Sequence, residues 1–181
     1  MPRHATTAEQ RAALVGWFAG HLPEGWFSAP PEVSFDNDEI QVVGTLAPPA
    51  LPEGANEDEV RVAEQARISG FREETRTARM RIADEAQPAF RRTVSWGAVC
   101  GGSTVLFTTA GVPVMTRLRL SERRVLDTLI DAGVARSRSE ALAWCVRLVG
   151  EHEADWIREL RDAMAAVEEV RNRGPRGSDA V

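Results

Sequence analysis

The chain has 181 residues, an apolar fraction of 43% and a formal net charge of −5, which fits one sizeable globular domain or two small ones. No apolar run approaches the roughly 20 residues needed to cross a bilayer, and the N-terminus lacks the hydrophobic core of a signal peptide. We therefore expect a cytoplasmic protein without membrane contact. Cys100 and Cys145 lie in separate segments without neighbouring ligands, which predicts buried thiols rather than a disulfide or a zinc site.

The charges are distributed unevenly along the chain, and every basic residue is an arginine. Residues 1–111 contain ten arginines and fifteen acidic residues, and residues 150–181 contain five arginines and eight acidic residues. Residues 112–149 contain seven arginines and only four acidic residues. Because the location of charge matters more than its sum for binding a polyanion, this basic segment is the candidate for nucleic-acid contact.

The pattern of residues 1–111 predicts a small α+β domain with the element order helix, hairpin, helix, hairpin. The sequence does not reveal the role of this domain. An apolar stripe predicts a helix over 7–22, which Pro23 stops. Alternating apolar residues predict a hairpin over 32–46 that sets Phe35 opposite Ile40. A Pro-rich linker follows this hairpin, since prolines interrupt strands and helices alike.

The next segment, 57–90, predicts one long charged helix with apolar residues on a single buried stripe. Arg72, Arg76 and Arg79 recur at helical spacing on another face. This arginine row has two interpretations: a solvated face balanced by neighbouring acidic residues, or a basic ridge that contacts nucleic acid. We favour the solvated face, because charged helix faces are usually exposed to water without a ligand.

Residues 91–109 predict a second hairpin, with a turn at Gly101 and Gly102 that places Ala98 opposite Val105. Glycine pairs also occur in phosphate-binding loops, but this one lacks the lysine and the following helix that such loops require. We expect the two hairpins to form one antiparallel sheet, with the long helix packed across it.

The segment 113–149 begins with an alternating run and continues with two amphipathic stretches. Alternation predicts a strand with one apolar and one polar face, and the outward side chains are Met115, Arg117 and Arg119. Ser121 fits the N-cap of the following helix, and Gly133 suits its C-terminal end. The apolar residues that we expect to face inward are Val125, Leu126, Leu129 and Ile130 on the first helix and Leu142, Cys145, Val146 and Val149 on the second.

This pattern resembles the ribbon–helix–helix (Arc/MetJ-like) DNA-binding superfamily. The residues that carry the resemblance are Arg117-Leu118-Arg119-Leu120-Ser121-Glu122, Gly133 and Arg136-Ser137-Arg138-Ser139-Glu140. The resemblance implies a homodimer in which the strands of two chains pair and the two-stranded ribbon enters the major groove of double-stranded DNA. It also implies a bacterial, nucleoid-associated transcription regulator.

The resemblance further implies which side chains contact DNA. Base contacts fall on the outward residues Met115, Arg117 and Arg119, since an arginine can donate two hydrogen bonds to guanine. Phosphate contacts fall on the residues at the start of the second helix, where free amides attract anions. These residues are Arg136, Ser137, Arg138 and Ser139. Each has an alternative interpretation, because the serines can simply cap the helix and the arginines can simply be solvated.

The sequence therefore divides into four parts: an α+β domain over 1–111, a ribbon–helix–helix domain over 112–150, a C-terminal helix over 151–173 and a disordered tail over 174–181. Gly150 is expected to interrupt the chain between the last two helices. An apolar stripe on the C-terminal helix predicts packing against the core or a second subunit; its residues are Ile157, Leu160, Met164 and Val167.

Catalytic, cofactor and metal signatures are missing from the sequence: the three histidines are far apart, and no nucleophile elbow, P-loop or dinucleotide fingerprint occurs. We expect no enzyme and no cofactor. Alternatives to the regulator are an antitoxin or other protein-binding module that uses the same dimer, and a scaffold that has lost DNA contact. The N-terminal domain is expected to sense a small molecule or bind a protein.

Overall fold

The computed structural model describes residues 7–173, and the predicted α+β class is confirmed. The expected tail at 174–181 lies outside the described residues. The chain divides into an N-terminal unit, Met1–Pro113, and a C-terminal unit, Val114–Val181. The elements in chain order are α1 (Thr7–His21), β1 (Glu32–Phe35), β2 (Glu39–Thr45), α2 (Glu57–Glu74), α3 (Arg76–Phe90), β3 (Thr93–Cys100), β4 (Ser103–Leu106), α4 (Leu120–Asp131), α5 (Arg138–His152) and α6 (Ala154–Arg173).

The N-terminal unit contains a four-stranded sheet of order β1-β2-β3-β4. Both hairpin registers match the prediction, with Phe35 opposite Ile40 and Ala98 opposite Val105. The predicted all-antiparallel sheet is wrong, however, because β2 and β3 are parallel. The two helices between β2 and β3 return the chain to the end of the sheet where β2 began, and a crossover of this kind joins parallel strands.

The core of the N-terminal unit lies between one face of the sheet and the helices. Period-two alternation buries one face of β2, whereas consecutive residues of β3 are buried. The helix α1 adds Leu14 and Phe18, both fully buried. Gly44 on β2 allows a close approach, since a Cβ there would lie 2.0 Å from the ring of Phe27. The buried apolar residues of this core are Leu14, Phe18, Val33, Ile40, Val42, Leu46, Ile68, Phe71, Ile82, Ala86, Val94, Trp96, Ala98, Cys100 and Phe107.

The predicted single helix over 57–90 is instead two helices that meet at Thr75. The Thr75 hydroxyl donates to the Phe71 carbonyl at 2.6 Å, a local bond that tends to bend helices. A second correction concerns Arg79, which we expected on a solvated face. Arg79 is only 6% exposed, whereas Arg72 and Arg76 are exposed.

The C-terminal unit corrects three local predictions. Residues 107–119 form no strand, and α4 begins at Leu120 with Arg119, not Ser121, at its N-cap. A lone strand is costly because its backbone groups need a partner strand, and a single chain offers none here. The helix α5 also continues through Gly150, since one glycine costs a helix only about 1 kcal/mol relative to alanine.

Within residues 7–173, no helix has the length and apolar character to span a membrane. Among the same residues, no group of three or more His, Cys, Asp or Glu side chains is placed to hold a metal ion.

Candidate nucleic-acid interface

The extended segment before α4 carries the three side chains predicted to contact bases. Met115 is 97% exposed, and Arg117 and Arg119 are exposed as well. Neither guanidinium forms an ion pair with any carboxylate that the structure describes. All three side chains are therefore open to solvent, and both arginines can donate to an external acceptor.

The C-terminal end of this segment is attached to α4. The Glu122 carboxylate accepts the backbone amide of Arg119 at 2.5 Å, and Arg123 donates from Nη1 to the Leu118 carbonyl at 2.6 Å. Leu118 packs against the small core of the unit. Leu118 is half-buried while its neighbours Arg117 and Arg119 are exposed, so both arginines lie on the outer side of the segment. The alternation of the predicted strand places Leu120 on the same apolar face as Leu118, but Leu120 is 61% exposed on the first turn of α4.

The core beneath this segment is small. Among the described residues of this unit, Leu126, Ala135 and Ala141 are the buried apolar ones. The half-buried residues packed on them are Leu118, Leu129, Leu142 and Cys145. Several residues that we predicted to face inward are exposed in the single chain. They are Val125 at 56%, Val146 at 66% and Val149 at 48%. The unit thus leaves a substantial apolar surface uncovered.

The turn between α4 and α5 has the chemistry that its sequence predicts. Gly133 has a φ of 76°, the left-handed conformation in which glycine avoids the strain of a side chain. Ser137 is the N-cap of α5 and accepts the Glu140 amide at 3.2 Å. Ser139 is exposed on the first turn of α5. The amides of Arg138 and Ser139 have no acceptor within the helix, and the first amides of α5 form the positive end of its dipole.

The two arginines of this turn are both paired with carboxylates. Arg138 donates to Asp127 on α4 through two hydrogen bonds, of 2.7 and 2.8 Å. Arg136 donates to Glu140 from its backbone amide at 2.9 Å and from Nε at 3.3 Å. The hydrogen bond from Arg138 lowers the pKa of Asp127 below its ordinary value, and the bonds from Arg136 do the same for the pKa of Glu140.

These pairs change the expectation for phosphate contact. To bind a phosphate, Arg136 and Arg138 would first have to release their carboxylate partners. Arg117 and Arg119 have no ion pair with a described carboxylate that would have to break. The sequence offers one sign of this, the four-residue spacing of Arg136 and Glu140, which suits an ion pair on a helix. Asp127 lies eleven residues before Arg138 on another helix, so no local spacing predicts their contact.

Comparison with known proteins identifies the family. The model of the Rv1265-like protein N-terminal domain matches residues 12–106, and that of the Mb1296 C-terminal domain matches residues 119–171. The chain belongs to the Rv1265-like family. It is 56% identical over 159 residues to Mb1296 of Mycobacterium bovis and to Rv1265 of Mycobacterium tuberculosis H37Rv. The matched region covers 88% of this chain and 69% of each relative.

The family names describe two domains and state no activity. The two matched ranges fall separately within the N-terminal and C-terminal units, and neither family description mentions DNA or a ribbon–helix–helix fold. No solved structure matches the chain.

Proposed function

We propose that this Rv1265-like chain is a homodimeric, sequence-specific DNA-binding transcription regulator that acts in the cytoplasm at the nucleoid. In this proposal residues 113–119 of two copies pair as a ribbon and enter the major groove. The observation that carries it is the geometry of the extended segment. Leu118 packs on the small core while Arg117 and Arg119 are exposed and form no ion pair with any described carboxylate.

Dimerisation follows from the small size of the core in the C-terminal unit. Three buried residues are too few for an isolated helical unit, because small domains bury too little apolar surface to be stable alone. A second copy would cover the exposed Val125, Val146 and Val149. It would also supply the missing partner strand for residues 113–119, and the paired strands would satisfy the amides and carbonyls of both edges.

DNA binding follows from the charges that remain after the internal ion pairs form. Two of the seven arginines in residues 112–149 are held by two of the four acidic residues. The remaining five arginines and two acidic residues still give an excess of three positive charges. In a ribbon, Arg117 and Arg119 would reach base edges, where each can bond guanine through two hydrogen bonds. The free amides at the start of α5 would bind a phosphate.

A protein-binding module such as an antitoxin is the second candidate, and α6 favours it. This helix carries an uncovered apolar row after the two-helix unit, which is where antitoxins of the resembled superfamily usually bind their toxin. The exposed residues of the row are Leu160, Met164 and Val167. The large folded unit that precedes the motif favours the regulator, since this antitoxin arrangement does not require it.

The experiment is selection of random double-stranded DNA with the full chain, followed by titration of the enriched sequence. Arg117→Ala and Arg119→Ala should each weaken binding about 5- to 150-fold, the loss of one bidentate base contact. The matched control is Arg81→Ala, which removes an exposed helix arginine of the N-terminal unit. If no sequence is enriched, or if both ribbon variants bind the enriched site as tightly as the parent, the regulator proposal is wrong and the protein-binding alternative becomes the better account.

A further inference from the structure

A cavity of about 250 Å³ lies in the N-terminal unit beside the junction of α2 and α3. Three arginines line it, Arg72, Arg76 and Arg79, together with Glu73, Phe107 and Thr108. The volume is below the roughly 300–1,000 Å³ of pockets that enclose a drug-sized molecule. The cavity therefore suits one charged group of a ligand rather than a whole ligand.

Arg79 is the unusual member of this cluster because it is buried and forms no ion pair with any carboxylate that the structure describes. It is 6% exposed, and its guanidinium lies 4.8 Å from the centre of the Phe107 ring. It donates from Nε to the Thr75 hydroxyl at 3.0 Å and from Nη2 to the Arg72 carbonyl at 2.7 Å. Both acceptors are neutral, whereas buried charges are normally paired with an opposite charge.

Arg79 lines the cavity, and the third nitrogen of its guanidinium, Nη1, is not used by either hydrogen bond. Every fully buried side-chain nitrogen and oxygen that the structure describes has a hydrogen-bond partner, yet the two bonds of Arg79 use only Nε and Nη2. Nη1 is therefore not sealed in the core, and its hydrogens remain available at the cavity wall. Burial, followed by repulsion from Arg72, lowers the pKa of Arg79 from its ordinary value, so a nearby anion would be favourable.

The charge of the cluster indicates the kind of anion. Three arginines line the cavity together with one acidic residue, Glu73, whose exposed carboxylate lies 4.0 Å from Nε of Arg72. The cluster thus carries a net charge of two positive units. A phosphate monoester carries about −1.5 to −2 at pH 7, and arginine forks match its oxygen atoms. A carboxylate would neutralise only half of this charge.

We propose that the cavity binds the phosphate group of a phosphomonoester ligand. The site does not depend on the DNA-binding proposal, because all the residues that line it belong to the N-terminal unit. Arg79 would donate from the cavity floor and Arg76 and Arg72 from its rim. Occupation of the cavity would also tie together the two helices that meet at Thr75, so the ligand would stabilise the N-terminal unit.

The test is a nuclear magnetic resonance titration of the full chain with phenyl phosphate, with benzenesulfonate as a singly charged probe of similar shape. We expect saturable shifts at residues around the cavity with phenyl phosphate, and much weaker binding of benzenesulfonate. Arg76→Ala and Arg72→Ala should each weaken phenyl phosphate binding about tenfold, the loss of a hydrogen bond to a charged group. Both residues are exposed, so neither variant should unfold the protein.

The matched control is Arg81→Ala, since Arg81 is an exposed arginine on the same helix that pairs with Glu85 and does not line the cavity. It should bind phenyl phosphate as the parent does. Three results would overturn the proposal: no saturation at millimolar phenyl phosphate, equal affinity for benzenesulfonate, or equal weakening by Arg81→Ala and Arg76→Ala. The last result would indicate attraction by the general charge of the helix rather than a site.

Discussion

Val146→Glu should dissociate the proposed dimer without unfolding the chain. Val146 lies in the middle of α5 and is 66% exposed in the single chain. Glutamate is a good helix former, so the exposed position tolerates it in the monomer. The substitution should therefore act on association, where it removes an apolar contact and places a charge at an interface that has no partner for it.

The expected loss of dimer stability follows from the apolar area of Val146 that a second copy would cover. Full burial of a valine contributes about 1.5–3 kcal/mol, so covering two thirds of it contributes about 1–2 kcal/mol per chain. A two-fold interface contains each residue twice, which gives about 2–4 kcal/mol per dimer. The dimer dissociation constant should rise about 30- to 700-fold, and the cost of the buried charge would increase this further.

The assay is sedimentation equilibrium over a range of concentrations, with circular dichroism to confirm the helix content. The matched control is Val62→Glu, since Val62 lies within α2 of the N-terminal unit and is 60% exposed. This variant should associate like the parent. The reasoning fails if the parent is a folded monomer at micromolar concentration, or if Val146→Glu and Val62→Glu have the same dissociation constant.

Two further predictions concern stability and titration. Gly44→Ala should lower the free energy of unfolding by about 1–3 kcal/mol, because the added Cβ would lie 2.0 Å from the Phe27 ring. The control is Gly16→Ala in α1, whose added Cβ meets no atom within 4 Å and which should be neutral or stabilising. Urea denaturation measures both variants. The pKa of the Asp127 carboxyl should lie below the ordinary aspartate value of about 3.9 in a carbon-13 resonance titration, and Arg138→Ala should raise it, because the hydrogen bond from Arg138 is the main cause of the lowering. Because the folded pKa is lowered, the contribution of this pair to stability is present above the ordinary value and is lost as the pH falls through the lowered one; an unshifted Asp127 in the parent would contradict the pairing.

The sequence predicted what local patterns determine. The register of both hairpins follows from alternating apolar residues and a turn, as the pairs Phe35–Ile40 and Ala98–Val105 show. Sequence patterns failed to predict features that depend on residues distant in the chain. The parallel pairing of β2 and β3 depends on the path of the chain between them, and no period in either strand reveals it.

The candidate nucleic-acid interface and the arginine cavity show the same contrast between local patterns and contacts of distant residues. The cap at Ser137 follows from local spacing. Met115, Arg117 and Arg119 are exposed as predicted, but the strand whose alternation predicted this does not form, and Leu120 of the opposite face is exposed as well. The pairing of Arg138 with Asp127 and the burial of Arg79 against Phe107 join residues that are distant in sequence. At the sequence level Arg79 is indistinguishable from Arg72 and Arg76, because all three recur at helical spacing and the ring of Phe107, which lies against Arg79, is distant in sequence.

The measurement that tests the central claim most directly is amide hydrogen exchange across residues 114–119 of the full chain. If two copies pair through this segment, its amides should be protected at concentrations where the protein is dimeric. Protection should then be lost on dilution and in Val146→Glu. Rapid exchange of the whole segment in a sample shown by sedimentation to be dimeric would contradict the ribbon, because the dimer would then be held by some other surface.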